Sequence, residues 1–340
     1  MKKVLAILLA LIMVLGMVAC AAEEKTDAPA ADAPAADAPA ADAPAADAPA
    51  EEAKKLVGVS LSDYSNVGLR LLGDEIKAAL EATGKCEVAI LDGKEDQAVQ
   101  ISDIEDIINQ GAAMIICAAV DSVGIRPAVE ACQAAGIPYL NVSQFLDDSL
   151  LDMLAADITA DNYTAGYQLG EIMAEDLGGE GGVVMYTFNS SFVCAERSDG
   201  FRDALGQYPG IEILEEFDGL DVAVESGLNF AEDCMQKYPD LRGIFCINTN
   251  IGIGVAAAIE SAGKNDDIFV VSIDGYEGEL QAMKNGSLDA TAIYPMREMA
   301  EIASKYAIDI LETGETDGKP SLNFTVVTQA NYDEYKNYWG

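Results

Sequence analysis

The stretch VVSIDGYEGELQAMKNGSLDATAIYP, Val270 to Pro295, sets a carboxylate at the end of an apolar run: Val270 to Ile273 read as a strand buried on both faces, and Asp274 follows, then Gly275. An acid in that place either caps the next helix or accepts hydrogen bonds from a ligand's hydroxyls. The same placement recurs along the chain. Ser62, Asp63, Tyr64, Ser65 and Asn66 follow the first apolar run, Asp121 and Ser122 the third, and Ser143 and Gln144 the fourth. Asn189 and Ser190, then Asn248, Thr249 and Asn250, follow later ones. Ser, Thr, Asp and Asn are also the ordinary N-cap types, so residue type alone leaves both readings open.

What positions these residues is a regular alternation of elements. KKLVGVS, CEVAILD, AAMIICAA, IPYLNVS, GGVVMYTF, IEILEEF, GIFCIN, DIFVVSID and LDATAIYP read as short strands rich in Val and Ile. VGLRLLGDEIKAALEATG, AVQISDIEDIINQG, YTAGYQLGEIMAEDLGG and IGIGVAAAIESAG between them read as helices, several closed by Gly. The alternation predicts an α/β protein with parallel sheets, right-handed crossovers and a ligand crevice outside the carboxyl ends of the strands.

Composition narrows the function. At 340 residues, 50% of them hydrophobic, the chain can build two domains with separate cores. Twenty Lys and Arg against 58 Asp and Glu give a net charge of −38, which repels a phosphate backbone and excludes nucleic acid as a partner. With no histidine in the chain, the commonest general base, the triads that use it and imidazole metal sites are all lost. Neither a Gly-x-Ser-x-Gly elbow nor a phosphate-binding loop is present, so no cofactor, metal or catalytic group is expected. Beyond Cys20, the six cysteines Cys86, Cys117, Cys132, Cys194, Cys234 and Cys246 form no Cys-x-x-Cys pair and read mostly as buried thiols.

The start differs in texture. Lys2 and Lys3 precede an apolar run from Val4 to Val18, too short for a membrane span and suited to a secretory signal over residues 1–20. Met17-Val18-Ala19-Cys20 resembles a bacterial lipobox, which makes Cys20 the lipidated first residue of the mature chain. From Asp27 the unit Asp-Ala-Pro-Ala-Ala repeats, and a proline every fifth residue prevents a helix from propagating. Residues 21–53 thus read as a disordered tether, about 90 Å long at full polyproline extension.

From Lys54 to about Gln329 the chain resembles the ribose- and galactose-type sugar-binding proteins of bacterial ABC importers, which have the type I periplasmic binding protein fold. The resemblance rests on four stretches in order: Ile107 to Ser122, CAERSDGFRDAL, GIFCINTNIGIGVAAAIESAGK and Val270 to Pro295. It implies two Rossmann-like lobes, residues 54–160 with 295–324 and residues 161–294 with 325–340, joined by a three-strand hinge and closing on a ligand. It implies ligand contacts at Arg197, Asn248 and Asp274, where an arginine fork, an amide and a carboxylate suit vicinal hydroxyls. Ser143 and Gln144 stand where ribose binders have an Asp-Arg pair; Asn66, Val67 and Val222 replace stacking aromatics, Ala118 an Asn and Tyr294 a Gln. Asp63, Tyr64, Ser143, Gln144 and Tyr294 complete the expected site, with Phe145 and Phe192 as further candidate stacking surfaces. The implied protein is a monomeric, lipid-anchored, extracytoplasmic binding protein that passes a sugar, polyol or similar solute other than ribose to an ABC permease. The alternatives are a ligand-sensing module for a chemoreceptor or sensor kinase and, less well supported, a carbohydrate-active enzyme.

Overall fold

The computed structural model describes residues 53–316 and 318–339; the leader, Cys20 and the proline repeat lie outside them. The first apolar runs become β1 (Lys55–Leu61), β2 (Cys86–Asp92), β3 (Met114–Cys117), β4 (Tyr139–Val142) and β5 (Ala156–Ala160). They alternate with α1 (Val67–Ala82), α2 (Gln97–Asn109) and α3 (Arg126–Ala135). The second series is β6 (Glu180–Thr187), β7 (Gly210–Asp218), β8 (Leu241–Cys246), β9 (Phe269–Asp274) and β10 (Ala290–Ile293). Its helices are α4 (Asn162–Asp176), α5 (Phe192–Leu205), α6 (Val224–Lys237), α7 (Thr249–Ala262) and α8 (Glu277–Asn285). The chain ends with α9 (Met296–Thr313), β11 (Ser321–Leu322), β12 (Thr325–Thr328) and the short α10 (Tyr332–Tyr335).

Two six-stranded sheets result, ordered β11-β5-β4-β3-β1-β2 and β12-β10-β9-β8-β6-β7. All neighbours run parallel except β10 and β12. Helices cover both faces, so the central strands are buried throughout: Met114 to Cys117 and Val270 to Ile273 are buried at every position, the one polar side chain among them being Ser272. Each large side chain so placed contributes about 1.5 to 3 kcal/mol of burial. The chain passes between the sheets three times, from β5 into α4, from β10 into α9 and from β11 into β12.

Local signals fix several boundaries. Asn66, Asp96, Asp161 and Asn248 cap α1, α2, α4 and α7 by accepting backbone N–H bonds, and α3, α7, α8 and α9 end on left-handed glycines. The strands missed from the sequence are β5, β11 and β12. Asp157 and Thr159 interrupt the apolar pattern of β5, and β11 is two residues long, so neither presents a run to read. All six cysteines of the described region stand free, five of them buried and Cys194 half-buried.

Helices α4 and α5 touch backbone to backbone. A Cβ on Gly166 would lie 2.0 Å from the Arg197 carbonyl oxygen, and one on Gly200 would lie 2.0 Å from that of Tyr163. These two glycines let α5 approach close enough to hold Arg197 against the start of α4. Gly200→Ala is therefore expected to destabilise the protein by about 1 to 3 kcal/mol through overpacking. Gly206→Ala, at the end of the same helix where the nearest atom to a new Cβ is 3.4 Å away, should change stability by less than about 0.5 kcal/mol. Urea denaturation of the two variants checks this, and equal stabilities would contradict it.

Candidate functional site

The carboxyl ends of the two sheets enclose a cavity of about 270 Å³. The first sheet's side supplies Asn66 and Leu69 at the start of α1, Ser143 and Gln144 after β4, and Met296 at the start of α9. The second supplies Phe188, Ser191, Val193, Cys194, Arg197, Val222, Asn248, Asp274 and Tyr276, with Tyr294 on the crossing between them. Larger hollows of about 690, 560 and 450 Å³ exist, but the first opens at the amino ends of β6 and β8, the second along β7 and α6 and the third between α8 and α10. In a parallel α/β sheet the loops free to vary chemically lie at the carboxyl ends, and these place the site in the smaller cavity.

Arg197, only 4% exposed, is held from three directions. Its Nε donates to Asn162 Oδ1 at 2.9 Å, one terminal nitrogen donates to the Ile247 carbonyl at 3.1 Å, and the other pairs with Asp274 Oδ1 at 2.9 Å. The rings of Phe324 and Tyr294 lie 5.7 and 6.0 Å from the guanidinium carbon. Burial works against the cation, yet Asp274, aided by Cys194 and Tyr294, more than offsets it, and the guanidinium is held more firmly protonated than usual. Burial pushes the Asp274 carboxyl up, opposed by Arg197 and by the Thr249 backbone N–H, and the partner guanidinium favours the ionised pair.

Asp274 is no helix cap. The residue preceding α8 is Tyr276, whose side chain makes no capping bond, while Asp274 takes a left-handed φ of +98° that a non-glycine residue rarely adopts. That backbone turns the carboxylate toward Arg197. Gly275 continues the turn at φ +68°, and its carbonyl accepts a 2.6 Å bond from Trp339 Nε1. Asn248 is a cap: its Oδ1 accepts from the Ile251 N–H at 3.1 Å at the start of α7, while the residue also lines the cavity.

The remaining expected residues divide. Ser143, Gln144 and Tyr294 line the cavity, and the Tyr294 hydroxyl donates to the Ser143 carbonyl at 3.0 Å. Asp63 and Tyr64 do not: Asp63 accepts from Ser65, and the Tyr64 hydroxyl donates to Asp74 at 2.7 Å. The chain turns away after β1, and Asn66 and Leu69 reach the cavity in their place. Phe145 and Phe192 form an edge-to-face pair with each other, 5.7 Å between centroids, outside the lining. Asn162, Tyr276 and Met296 escaped the sequence reading because each looks like an ordinary cap or core residue. Burial raises the Tyr276, Tyr294 and Cys194 pKa values, so these groups stay neutral at ordinary pH.

Residues 57–316 match the family described as periplasmic binding protein domain, and the chain belongs to it. The ribose import binding protein of Bacillus subtilis is 27% identical over 274 residues, covering 80% of this chain and 87% of that protein. A solute-binding protein of an ABC transporter from Bacillus halodurans, solved with bound myo-inositol, superposes with a TM-score of 0.75 at 23% identity, covering 83% of this chain and 97% of that one. The fructose-binding periplasmic domain of a hybrid two-component system superposes with a TM-score of 0.73 at 25% identity, covering 83% and 93%. The fold is that of the type I periplasmic binding proteins, as the resemblance implied.

Beneath Asn248 lies a carboxyl that pairs with no cation among the described residues. Glu279 is fully buried; the Thr249 and Thr291 hydroxyls donate to its Oε2 at 2.8 and 3.1 Å, and its Oε1 has no hydrogen-bond partner. Burial pushes its pKa from 4.5 to about 8, Asp274 adding to the rise and the Ser272, Thr249 and Thr291 hydroxyls opposing it. Because the folded value lies above the unfolded one, the stability linked to this group is complete below about pH 4.5 and is lost as pH rises toward about 8. Glu279→Gln keeps the shape without the charge. Between pH 5 and about 8 the wild type is expected to lose stability relative to this variant, by at most about 1.4 kcal/mol per pH unit. Urea midpoints at both pH values check this, and parallel pH profiles would contradict it.

Proposed function

We propose that the chain is an extracytoplasmic solute-binding lipoprotein that closes on a neutral sugar or sugar-like solute and delivers it to an ABC importer. The observation that supports this most is the convergence of Arg197, Asp274 and Asn248 on one cavity between the two sheets. Asp274 has a second carboxylate oxygen to accept a hydroxyl, and Asn248 and Gln144 have amide donors, which together suit adjacent sugar hydroxyls. On this reading residues 54–160 with 295–324 form one lobe and residues 161–294 with 325–340 the other. The three crossings act as the hinge, and the Tyr294–Ser143 bond and the 3.5 Å approach of the Tyr276 hydroxyl to Asn66 are contacts of the closed form.

The lining also bears on which solute is carried. The Bacillus subtilis relative is named for ribose, but Ser143, Gln144, Asn66 and Val222 stand here where ribose binders have a charged pair and stacking rings, so ribose is expected to bind weakly. A sensing role is the second reading, favoured by the likeness to the fructose-binding domain of a two-component system. Both readings require the same binding step and differ in the partner.

Titration calorimetry with hexoses, pentoses and polyols tests the binding step, with the fluorescence of Trp339, the chain's one tryptophan, as a second readout. Arg197→Ala is a poor probe, because stranding buried Asp274 costs about 3 to 5 kcal/mol of stability. Gln144, half-buried and with no hydrogen bond from its side-chain amide, is a better one. Gln144→Ala should leave the unfolding midpoint unchanged and weaken the tightest sugar by about 3- to 10-fold, the loss of one hydrogen bond. Failure of every sugar and polyol to bind would overturn the proposal. The proposed anchor has its own test: Cys20→Ala should move the protein from the membrane fraction to the medium, and unchanged membrane retention would rule out lipidation at that residue.

A further inference from the structure

The tail of the chain reaches the site without entering it. Trp339 Nε1 donates to the Gly275 carbonyl at 2.6 Å, directly after Asp274, and the Trp339 ring packs edge-on against Tyr276 with 4.9 Å between centroids. Asp274 and Tyr276 line the cavity, whereas Tyr338 and Trp339 do not. Trp339 thus bears on two residues that their own elements secure poorly. Asp274 holds a left-handed φ of +98°, and Tyr276 precedes α8 without a side-chain capping bond.

The contacts continue to the first sheet's side. The Tyr276 hydroxyl lies 3.5 Å from Asn66 Oδ1, and a Cβ on Gly68 in the first turn of α1 would come within 2.2 Å of it, so this approach requires glycine there. Tyr338 packs edge-on against Trp339 at 5.1 Å. The Tyr338 carbonyl accepts from Arg297 Nε at 3.2 Å, and the Tyr338 ring lies 5.7 Å from that guanidinium. Arg297, in the first turn of α9, pairs in turn with Glu75 on α1. A continuous series of contacts therefore runs from α1 and α9 through the tail to the turn that carries Asp274.

Resting on the sugar-binding reading and the lobe assignment above, we propose that Trp339 is a positioning residue for the ligand site and that Tyr338 and Trp339 form a strap between the lobes. The Trp339 N–H fixes the Asp274–Gly275 turn, its ring backs Tyr276 as that side chain reaches α1, and Arg297 ties the strap to the first lobe. Because the strap lies outside the cavity lining, it acts on the population of the binding-competent form. Apparent affinity scales with that population, so weakening the strap lowers affinity for every solute by the same factor, whereas loss of a direct contact would change their ranking.

The test is calorimetric titration of the wild type, Trp339→Phe and Arg297→Ala with D-glucose, D-galactose, D-ribose, D-xylose and myo-inositol, circular dichroism confirming that each protein is folded. Trp339→Phe keeps an aromatic ring beside Tyr276 and removes the N–H. Every solute that the wild type binds should weaken by a common factor of about 3 to 10, the loss of one hydrogen bond. Arg297→Ala leaves the Trp339 bond in place and cuts the tie to α1 and α9; a common factor of at least about twofold is expected, within the range of a partly exposed ion pair. A merely structural role would lower the unfolding midpoint and leave the affinity of the folded protein unchanged. Unchanged affinity in either variant, or a loss that reorders the solutes, overturns the inference while the sugar-binding reading stands. If Trp339→Phe does not fold, Arg297→Ala decides by the same criteria. A wild type that binds none of these solutes defeats the reading and the strap together.

Discussion

The site depends on one buried ion pair, and the pair depends on where three separate elements end. A guanidinium removed from water is tolerated only when its charge and most of its N–H groups find partners. Arg197 finds them at the carboxyl end of β9, in the carbonyl that follows β8 and at the first residue of α4. None of these elements is local to α5 in sequence. They meet because β8 and β9 are hydrogen-bonded neighbours and because Gly166 and Gly200 allow α4 and α5 into backbone contact. Asp274 contributes strain as well as charge: a non-glycine residue at φ +98° costs of order 1 to 3 kcal/mol, which persists only when the surroundings over-determine it. Trp339, bonded to the next carbonyl and packed edge-on against Tyr276, is part of that surround.

Contacts across the cavity are sparse by comparison. The Tyr294 hydroxyl reaches the backbone of Ser143, and the Tyr276 hydroxyl only approaches Asn66 at 3.5 Å. Neutral hydrogen bonds of this kind contribute about 0.5 to 1.5 kcal/mol each. For the proposed closure this balance matters, because a ligand shifts an equilibrium only by its differential affinity for the two forms. A rigid charged pole on one side with weak neutral contacts on the other lets a modest ligand decide the outcome.

Much of the fold was legible because apolar runs in a sheet covered on both faces need no alternation to be recognised. Nine strands announced themselves in this way, whereas β5 did not, since Asp157 sits within it and is matched by Asn141 on β4 at 2.7 Å. The site was legible in outline only. Arg197, Asn248 and Asp274 were named through a family pattern, and the structure brings them to one cavity. Sequence could not say that Asp274 would turn from the next helix toward Arg197, because that choice is made by a backbone angle and a partner 77 residues away. Asp63 and Tyr64 illustrate the same limit: strand-end polarity identifies a loop, but a turn of two or three residues decides that Asn66 and Leu69 reach the cavity while Tyr64 bonds to Asp74.

Charge completes the account of what the cavity can hold. Among the residues lining it, Arg197 and Asp274 carry formal charge, and they pair with each other. No cation is left over for a phosphate or carboxylate, and no second acid for an amine. The acidic surface of a chain with net charge −38 further disfavours anions, since the summed field acts on any approaching solute. A neutral solute feels no such field. Its capture rests on short-range hydrogen bonds and apolar contact, so affinity for it should vary little with ionic strength, which screens exposed charges far more than a buried, mutually compensated pair.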